Sequence, residues 1–485
     1  MKKKFVIFIG SEQKGLLCAI ADILEKKYNF SVIIIARDPS VKKHIDKLLS
    51  RRENDIVLSD IKPIVSNDNL LDEACDIEKR YNINLAMLMS EDRALGQGYF
   101  SNIEKIPDII RASWPHEKKI LELIKKIKKY EIALKGAEYF IRVWPDKCAT
   151  AVLNANGGRS FSLTSIKYGD RFFWSDDNFI TSKKYIDRIR KNISLKKCTN
   201  TNTSYQIDYD GEKVNLDARY TISNAIKIFF KIFYNDTKNL IRGMRKKDSY
   251  HYLGWAPSLF RSIANYRYVK SNSVFPSDIN KNYRVCFFTL HMEPEVALLN
   301  FSPEFNNSFE AISWISKSLP VNAMLVIKEQ ANSFGVRSKW YYKQLKKIPN
   351  VMLADPEIHS WKWIDRADIV ATITGTIGIE SVYFNKPVIS FGRHQVINYL
   401  PTVHYVSNFA ETRDAVTELL SDNISEEDFH KSRSALTKAQ LDSSFDLPEY
   451  KNSYDSSQIE TKMAKIALEN MFSEHPYLYK KQVNE

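Results

Sequence analysis

Residues 374–376, Thr-Gly-Thr, lie between two apolar, β-branched runs at 369–373 and 387–391. Two hydroxyls, a backbone loosened by glycine and the first N–H groups of a helix suit a phosphate or diphosphate, because the positive end of the helix dipole faces the same turn. The same residues would also serve as an ordinary tight connection with threonine as N-cap. A second candidate is the adjacent pair Glu91 and Asp92, followed by Arg93 and by Gly96 and Gly98. Paired carboxylates beside an arginine can supply a general base that deprotonates a hydroxyl. The alternative is a solvated loop with an Asp–Arg ion pair.

The elements that must hold these groups follow from periodicity. Around the Thr-Gly-Thr turn, 368–392 reads as strand, turn, helix (377–384) and strand, a βαβ unit. The chain opens in the same way, with a strand at 5–9, a turn at 10–15, a helix at 16–27 and a strand at 31–36. Gly10 and Gly15 form neither a GxGxxG nor a P-loop, so neither a dinucleotide nor an ATP site is supported. A weak strand at 55–58 and a helix at 70–81 precede a strand at 85–89, whose carboxyl end would present Glu91 and Asp92, where ligands gather in open α/β sheets.

A basic helix is expected at 117–130. The stretch 135–270 reads as less regular, with strand-like runs in 149–173 broken by Asn156-Gly157-Gly158 and Tyr168-Gly169-Asp170. Residues 222–247 read as helical. There Phe229, Phe230, Ile232 and Phe233 alternate with Lys227, Lys231, Arg242, Arg245, Lys246 and Lys247, either to lie on an anionic bilayer or to face a core with a solvated basic side. Residues 271–282, polar and containing Pro276, read as a linker. A second α/β series follows, with strands at 285–290, 323–327 and 351–353 before the Thr-Gly-Thr unit. Its helices are expected at 307–319, 338–347, 361–366, 409–420, 426–440 and 459–471.

The length of 485 residues calls for two domains, and 44% hydrophobic residues can fill their cores. The boundaries expected are 1–270 for an N-terminal domain with an insertion at about 135–270, 271–455 for a second domain, and 456–485 for a helix and tail packing back on the first. A net charge of +13 favours an anionic partner. No nucleic-acid-binding module is present to use it. Five cysteines, widely spaced and without a Cys-x-x-Cys, fit a reducing cytoplasm and neither a disulfide framework nor a structural zinc. The opening Met-Lys-Lys-Lys and its short apolar run read as a first strand, not a secretory signal. No run approaches the roughly eighteen apolar residues of a membrane span.

Three blocks of the second half carry a resemblance. They are Thr289-Leu290-His291-Met292-Glu293-Pro294-Glu295; Val326-Ile327-Lys328-Glu329-Gln330 with Gly335-Val336-Arg337, Tyr341-Tyr342 and Ile348-Pro349-Asn350-Val351; and Thr374-Gly375-Thr376-Ile377-Gly378-Ile379-Glu380 with Asn385-Lys386-Pro387-Val388-Ile389. In order and spacing they resemble bacterial capsule and surface-polysaccharide glycosyltransferases of the GT-B type, including Kdo transferases. The resemblance implies an α/β fold of two facing Rossmann-like domains, with an irregular insertion in the middle and a C-terminal helix. It further implies transfer of a sugar from a nucleotide donor, such as CMP-linked Kdo or a sialic-acid-like sugar, to a surface polysaccharide or lipid-linked acceptor. A sugar-nucleotide epimerase or hydrolase of the same fold, or a non-catalytic polysaccharide-assembly protein, is the alternative.

By position, Thr374, Gly375 and Thr376 would hold donor phosphate, and Glu380 would accept hydrogen bonds from the ribose. Lys328 would offset phosphate charge, with Glu329 orienting it or touching sugar hydroxyls. Arg337 or Arg393 would grip a carboxylate or phosphate. His291 and Glu293 would line the site, with His291, Asp92 and Glu91 as catalytic candidates. The resemblance implies no cofactor beyond the nucleotide sugar and no metal, a cytoplasmic location and peripheral contact with an anionic inner membrane. One departure is that the His-Pro pair of many enzymes using CMP-linked acidic sugars is replaced here by Gln330-Ala331.

Overall fold

The computed structural model describes residues 2–10, 12–49, 54–65, 69–92, 95, 114–195, 215–241, 256–293, 295–305, 308–421, 424–447 and 457–479. Arg93, Gly96, Gly98, Arg242, Arg245, Lys246, Lys247 and Pro294, named above, lie outside them. The chain divides into two compact α/β units. One comprises Met1–Leu88, Pro115–Arg188 and Thr437–Glu485, the other Met89–Trp114 and Ile189–Leu436.

The first unit holds a seven-stranded sheet. Its strands are β1 (Lys4–Ile9), β2 (Ser31–Ala36), β3 (Ile56–Val57), β4 (Tyr139–Arg142), β5 (Arg159–Ser165), β6 (Arg171–Ser175) and, from far along the chain, β14 (Phe445–Asp446). Their order is β14-β6-β5-β4-β1-β2-β3, parallel from β3 to β5 and antiparallel at β5–β6 and β6–β14. Residues 135–175, the first part of the expected irregular stretch, are therefore more regular than their sequence suggested. The glycine-broken segment after residue 158 forms the β5–β6 hairpin, which extends the main sheet. Before it, Lys147–Ala155 is helical, because the Asp146 carboxylate caps the amides of Cys148 and Ala149 at 3.1 and 3.3 Å.

The expected strand at 85–89 is instead a helix, Leu85–Glu91. Leu-Ala-Met-Leu-Met contains strong helix formers and no β-branched residue. Asn84 starts the helix by accepting from the Met87 amide at 2.7 Å, and Leu85, Leu88 and Met89 are buried at helical spacing.

The second unit has an all-parallel, seven-stranded sheet. Its strands are β7 (Ser273–Val274), β8 (Arg284–Thr289), β9 (Ala323–Lys328), β10 (Val351–Ala354), β11 (Ile369–Thr372), β12 (Val388–Ser390) and β13 (Val403–Tyr405). The order is β13-β12-β11-β8-β9-β10-β7. Both faces are buried, so the strands read as continuous apolar runs. In β8, Cys286 and Phe288 pack into one core and Val285 and Phe287 into the other.

The boundary differs from the expected one. Leu216, Tyr220, Ala225, Ile263, Tyr266 and Val269 belong to the core of the second unit, not the first. Residues 271–282 are not a linker either. β7 pairs with β10 at Leu353–Ser273 and Ala354–Val274, which seals the sheet edge.

The helix Ser457–Glu474 packs on Lys14–Lys26 within the first unit and buries Met463, Ala464, Ala467, Leu468 and Met471. The Trp174 indole donates to the Ala467 carbonyl at 2.8 Å, tying the helix to β6. The last stretch of chain thus completes the core begun by the first. Leu468 is fully buried, so Leu468→Ala is expected to lower the stability of this unit by about 2–5 kcal/mol in urea unfolding.

Candidate functional site

The second sheet contains a reversal of direction. From β8 the chain steps outward through β9 to β10, then returns to the other side of β8 to make β11, β12 and β13. In such an order the loops leaving β8 and β11 part in opposite directions, and the crevice at their carboxyl ends is where α/β sheets bind ligands. His291 lies in the loop after β8, and residues 374–376 in the loop after β11. The two loops meet there: the Thr374 amide donates to His291 Nε2 at 3.3 Å.

The turn is tightly packed. The Gly375 amide donates to Thr372 Oγ1 at 2.9 Å, and a Cβ on Gly375 would come within 2.8 Å of that oxygen. Thr374 Oγ1 is buried without a hydrogen-bond partner among the described residues. Thr376 begins the helix Ile377–Tyr383, but its hydroxyl does not cap it. It donates instead to Glu380 Oε1 at 3.1 Å, while the Trp361 indole donates to Glu380 Oε2 at 3.0 Å. Burial raises the pKa of Glu380, and the hydrogen bonds from Thr376 and Trp361 work against that rise.

Trp361 stands on the loop and helix after β10. The His359 ring lies against it at 4.3 Å between centroids. An open groove of about 940 Å³ borders the pair, lined by His359, Trp361, Phe275, Ile358, Lys281 and Phe384 among others. Sequence reading missed His359 and Trp361. The available signal was two aromatic rings directly after a short strand. Arg393, after β12, is exposed at the same end of the sheet.

Beneath the turn lies a buried charge cluster. Arg337 is fully buried and places Nη1 at 2.9 and 2.7 Å from the two Glu329 oxygens and Nη2 at 3.2 Å from Glu293 Oε1. Nη2 also donates to the His291 carbonyl. Glu329 accepts further from Tyr342 OH at 2.8 Å and the Gln330 amide at 2.8 Å. Glu293 accepts from the amide and hydroxyl of Ser308 at 2.7 and 2.8 Å. Burial acts to lower the Arg337 pKa, but Glu329 and Glu293 outweigh it and hold the pKa well above the usual value.

This arrangement corrects two expectations. Glu329 is occupied by Arg337, Tyr342 and Gln330, so it neither orients Lys328 nor faces sugar hydroxyls. Arg337 is instead paired with two carboxylates, those of Glu293 and Glu329. His291 is built to position the turn: its Nε2 accepts from Thr374, and its Nδ1 faces Glu295 Oε2 at 3.6 Å.

Lys328 ends β9, and its ammonium donates to the Pro356 carbonyl at 3.1 Å. Burial lowers its pKa to about 8 against the opposing pull of Asp355 and Glu329. Glu91 and Asp92 are at the end of a helix, not of a strand. Glu91 is buried, and Asp92 Oδ1 accepts from the Leu95 amide at 3.1 Å.

The first unit has a comparable reversal between β1 and β4. At its strand ends the Trp144 indole donates to Glu12 Oε2 at 2.9 Å, and Arg142 donates to the Trp144 carbonyl. Arg142 is buried, with Nη1 lacking a hydrogen-bond partner among the described residues. These three residues also escaped sequence reading, although an arginine closing the apolar strand Tyr-Phe-Ile-Arg was the available sign. Among the described residues, no group of three His, Cys, Asp or Glu side chains is placed to hold a metal ion. Cys75 and Cys286 are free thiols.

Neither a family model nor a curated relative matches the chain. Solved structures align with it along nearly its whole length at low identity. A glycosyltransferase from Rickettsia africae is 12% identical, covering 97% of this chain and 99% of its own, with a TM-score of 0.29. A UDP-GlcNAc 2-epimerase from Neisseria meningitidis bound to UDP-GlcNAc is 12% identical over 97% and 100%, with a TM-score of 0.26. The HepE protein of Anabaena, in complex with UDP and glucose, is 11% identical over 96% and 98%, with a TM-score of 0.30. Likeness at this level decides nothing about activity, and the capsule-transferase resemblance stands on its three sequence blocks alone.

Two measurements test the cluster. Arg337→Met leaves two buried carboxylates without their cation and should lower stability by about 3–5 kcal/mol. Adding Glu329→Gln should recover part of that loss in a double-mutant cycle. Lys328 gives a pH signature. Its unfolded amine keeps its proton up to about 10.5, the folded one only to about 8, so the unfolded state binds more protons between those values. Relative to Lys328→Met, the wild type should therefore gain stability as pH rises from about 8 to 10.5, by about 3 kcal/mol in total.

Proposed function

We propose that this protein is a nucleotide-sugar enzyme, most specifically a glycosyltransferase that moves a sugar from a nucleotide donor to a surface-polysaccharide or lipid-linked acceptor on the cytoplasmic side of the membrane. The observation that carries the reading is the meeting of the β8 and β11 loops at the reversal of the second sheet, with a carboxylate one helical turn beyond. A bare anion site needs the turn alone. Glu380 adds an acceptor for two vicinal hydroxyls, which is what a ribose offers.

In this reading the donor phosphate, one group in a CMP sugar and two in a UDP or GDP sugar, lies against residues 374–376. The amides of Thr374 and Gly375 are already engaged, so contacts come from Thr376 onward and from the unpartnered hydroxyl of Thr374. The ribose replaces the Thr376 and Trp361 hydrogen bonds on Glu380, and the base enters the groove beside Trp361 and His359. Lys328 supplies positive charge behind the phosphates below about pH 8, and Arg393 supplies it from the exposed end of β12. Departure of the nucleotide leaves negative charge on phosphate oxygen, which these donors and cations stabilise. The CMP-linked acidic donors of the resemblance remain within the reading, and the same cradle would accept UDP or GDP sugars.

Calorimetric titration with CMP, UDP and GDP, followed by turnover of their sugars, tests the proposal. One nucleotide should bind, and Glu380→Ala should weaken it about tenfold, the loss of a charged hydrogen bond. Affinity should also fall as pH rises through about 8, where Lys328 loses its charge. Binding of none of the three sinks the reading. Epimerised or hydrolysed donor formed without an acceptor would instead assign the site to an epimerase or hydrolase.

A further inference from the structure

The helix Ile222–Ile241 turns an unusual face to solvent. Its inner side carries the buried Ala225 with Ile228, Phe229 and Ile232 partly covered. Ile222, Ile226, Phe230 and Phe233, spaced i, i+4, i+8 and i+11, form one stripe on another side. All are exposed: Phe230 by 62%, Phe233 by 50% and the neighbouring Tyr234 by 64%. A core-facing helix would cover these rings.

A second row adjoins the stripe. Lys227, Lys231 and Lys238 project roughly 125° round the axis from its centre, at about 100° per residue. All three are exposed, and none makes an ion pair with a described residue. Lys238 lies 5.7 Å from the Tyr234 ring, at the border between the rows. Across 222–247 the sequence holds seven Lys or Arg against one acid, Asp236.

We propose that this helix is a docking surface for an anionic lipid bilayer. The apolar stripe would enter the headgroup boundary with the helix axis in the membrane plane. The lysine stems would cover apolar surface while their ammonium groups reach lipid phosphates. The twelve residues from Ile222 to Phe233 give about 18 Å of contact along the surface. The helix lies on the bilayer and does not span it, since no helix among the described residues is long and apolar enough to cross a membrane. Charge selects the occupant: protein interfaces are depleted in lysine at their cores, whereas a lysine row bordering exposed Phe and Ile matches anionic headgroups. This surface is separate from the nucleotide reading and stands without it.

Co-sedimentation of the full-length protein with phosphatidylcholine vesicles, alone or mixed with phosphatidylglycerol, tests the proposal. The wild type should bind the mixed vesicles and release in high salt. Lys227→Glu with Lys231→Glu should weaken binding roughly tenfold or more, since each lysine contributes at the surface. Phe230→Ser with Phe233→Ser should abolish binding while leaving the melting temperature and nucleotide titration unchanged. Failure of the wild type to distinguish the two vesicle types overturns the proposal. So does wild-type binding by the folded Phe double variant. A self-associating species in sedimentation velocity that the Phe variant dissolves, without vesicle binding, also overturns it and makes the stripe a contact between copies of the chain.

Discussion

The buried guanidinium of Arg337 is the constraint on which the second unit's site depends. A charge so far from water persists only where carboxylates and hydrogen bonds replace its hydration, and here they come from three separate segments. Glu329 directly follows β9, while Glu293 and the His291 carbonyl lie in the loop after β8. Tyr342, from the helix Lys339–Leu345, donates to Glu329 and so braces one of these partners. Their need to converge fixes the β8 loop, and with it the imidazole that accepts from Thr374. The Thr-Gly-Thr turn is thus held from below by a buried electrostatic cluster.

A second constraint is topological. Parallel strands require long crossovers, so the second sheet must grow outward from β8 and then return. The return places β11 beside β8 and opens the crevice between their loops. Packing then narrows what can occupy that crevice. Gly375 has no room for a side chain, and Gly392, after β12, would put a Cβ 2.2 Å from the Ile373 carbonyl. The charge asymmetry of the chain is expressed elsewhere, in the lysine row and bare Phe stripe of Ile222–Ile241.

Much of the fold was legible because buried parallel strands leave a strong mark. The runs forming β1, β2, β8, β9 and β11 are apolar and β-branched, and their helices show clear amphipathic spacing. Leu85–Glu91 misled because an apolar five-residue run is ambiguous until residue type is weighed, and leucine, alanine and methionine favour the helix. The edge strand β7 read as a linker because two residues give no period. The site was legible in part. Thr374, Gly375, Thr376 and Glu380 are close in sequence and lie together in space. The partners of Glu329 and Arg337 were not legible, since a carboxylate at a strand end looks the same whether it faces a ligand or a buried arginine.

By itself, then, the sequence determined the two α/β series, the Thr-Gly-Thr turn and the excess of positive charge, because these rest on local periodicity and composition. Only the tertiary structure decided which charged groups are spent on each other. It buried Arg337 between Glu293 and Glu329, turned His291 toward the Thr374 amide and moved Leu216, Tyr220, Ala225, Ile263, Tyr266 and Val269 into the second unit's core. It also brought Trp361 to Glu380 and left Phe230 and Phe233 in solvent. The reason is physical: a side chain's chemistry is set by its hydration and its partners, and both are fixed by contacts between segments that the linear order does not record.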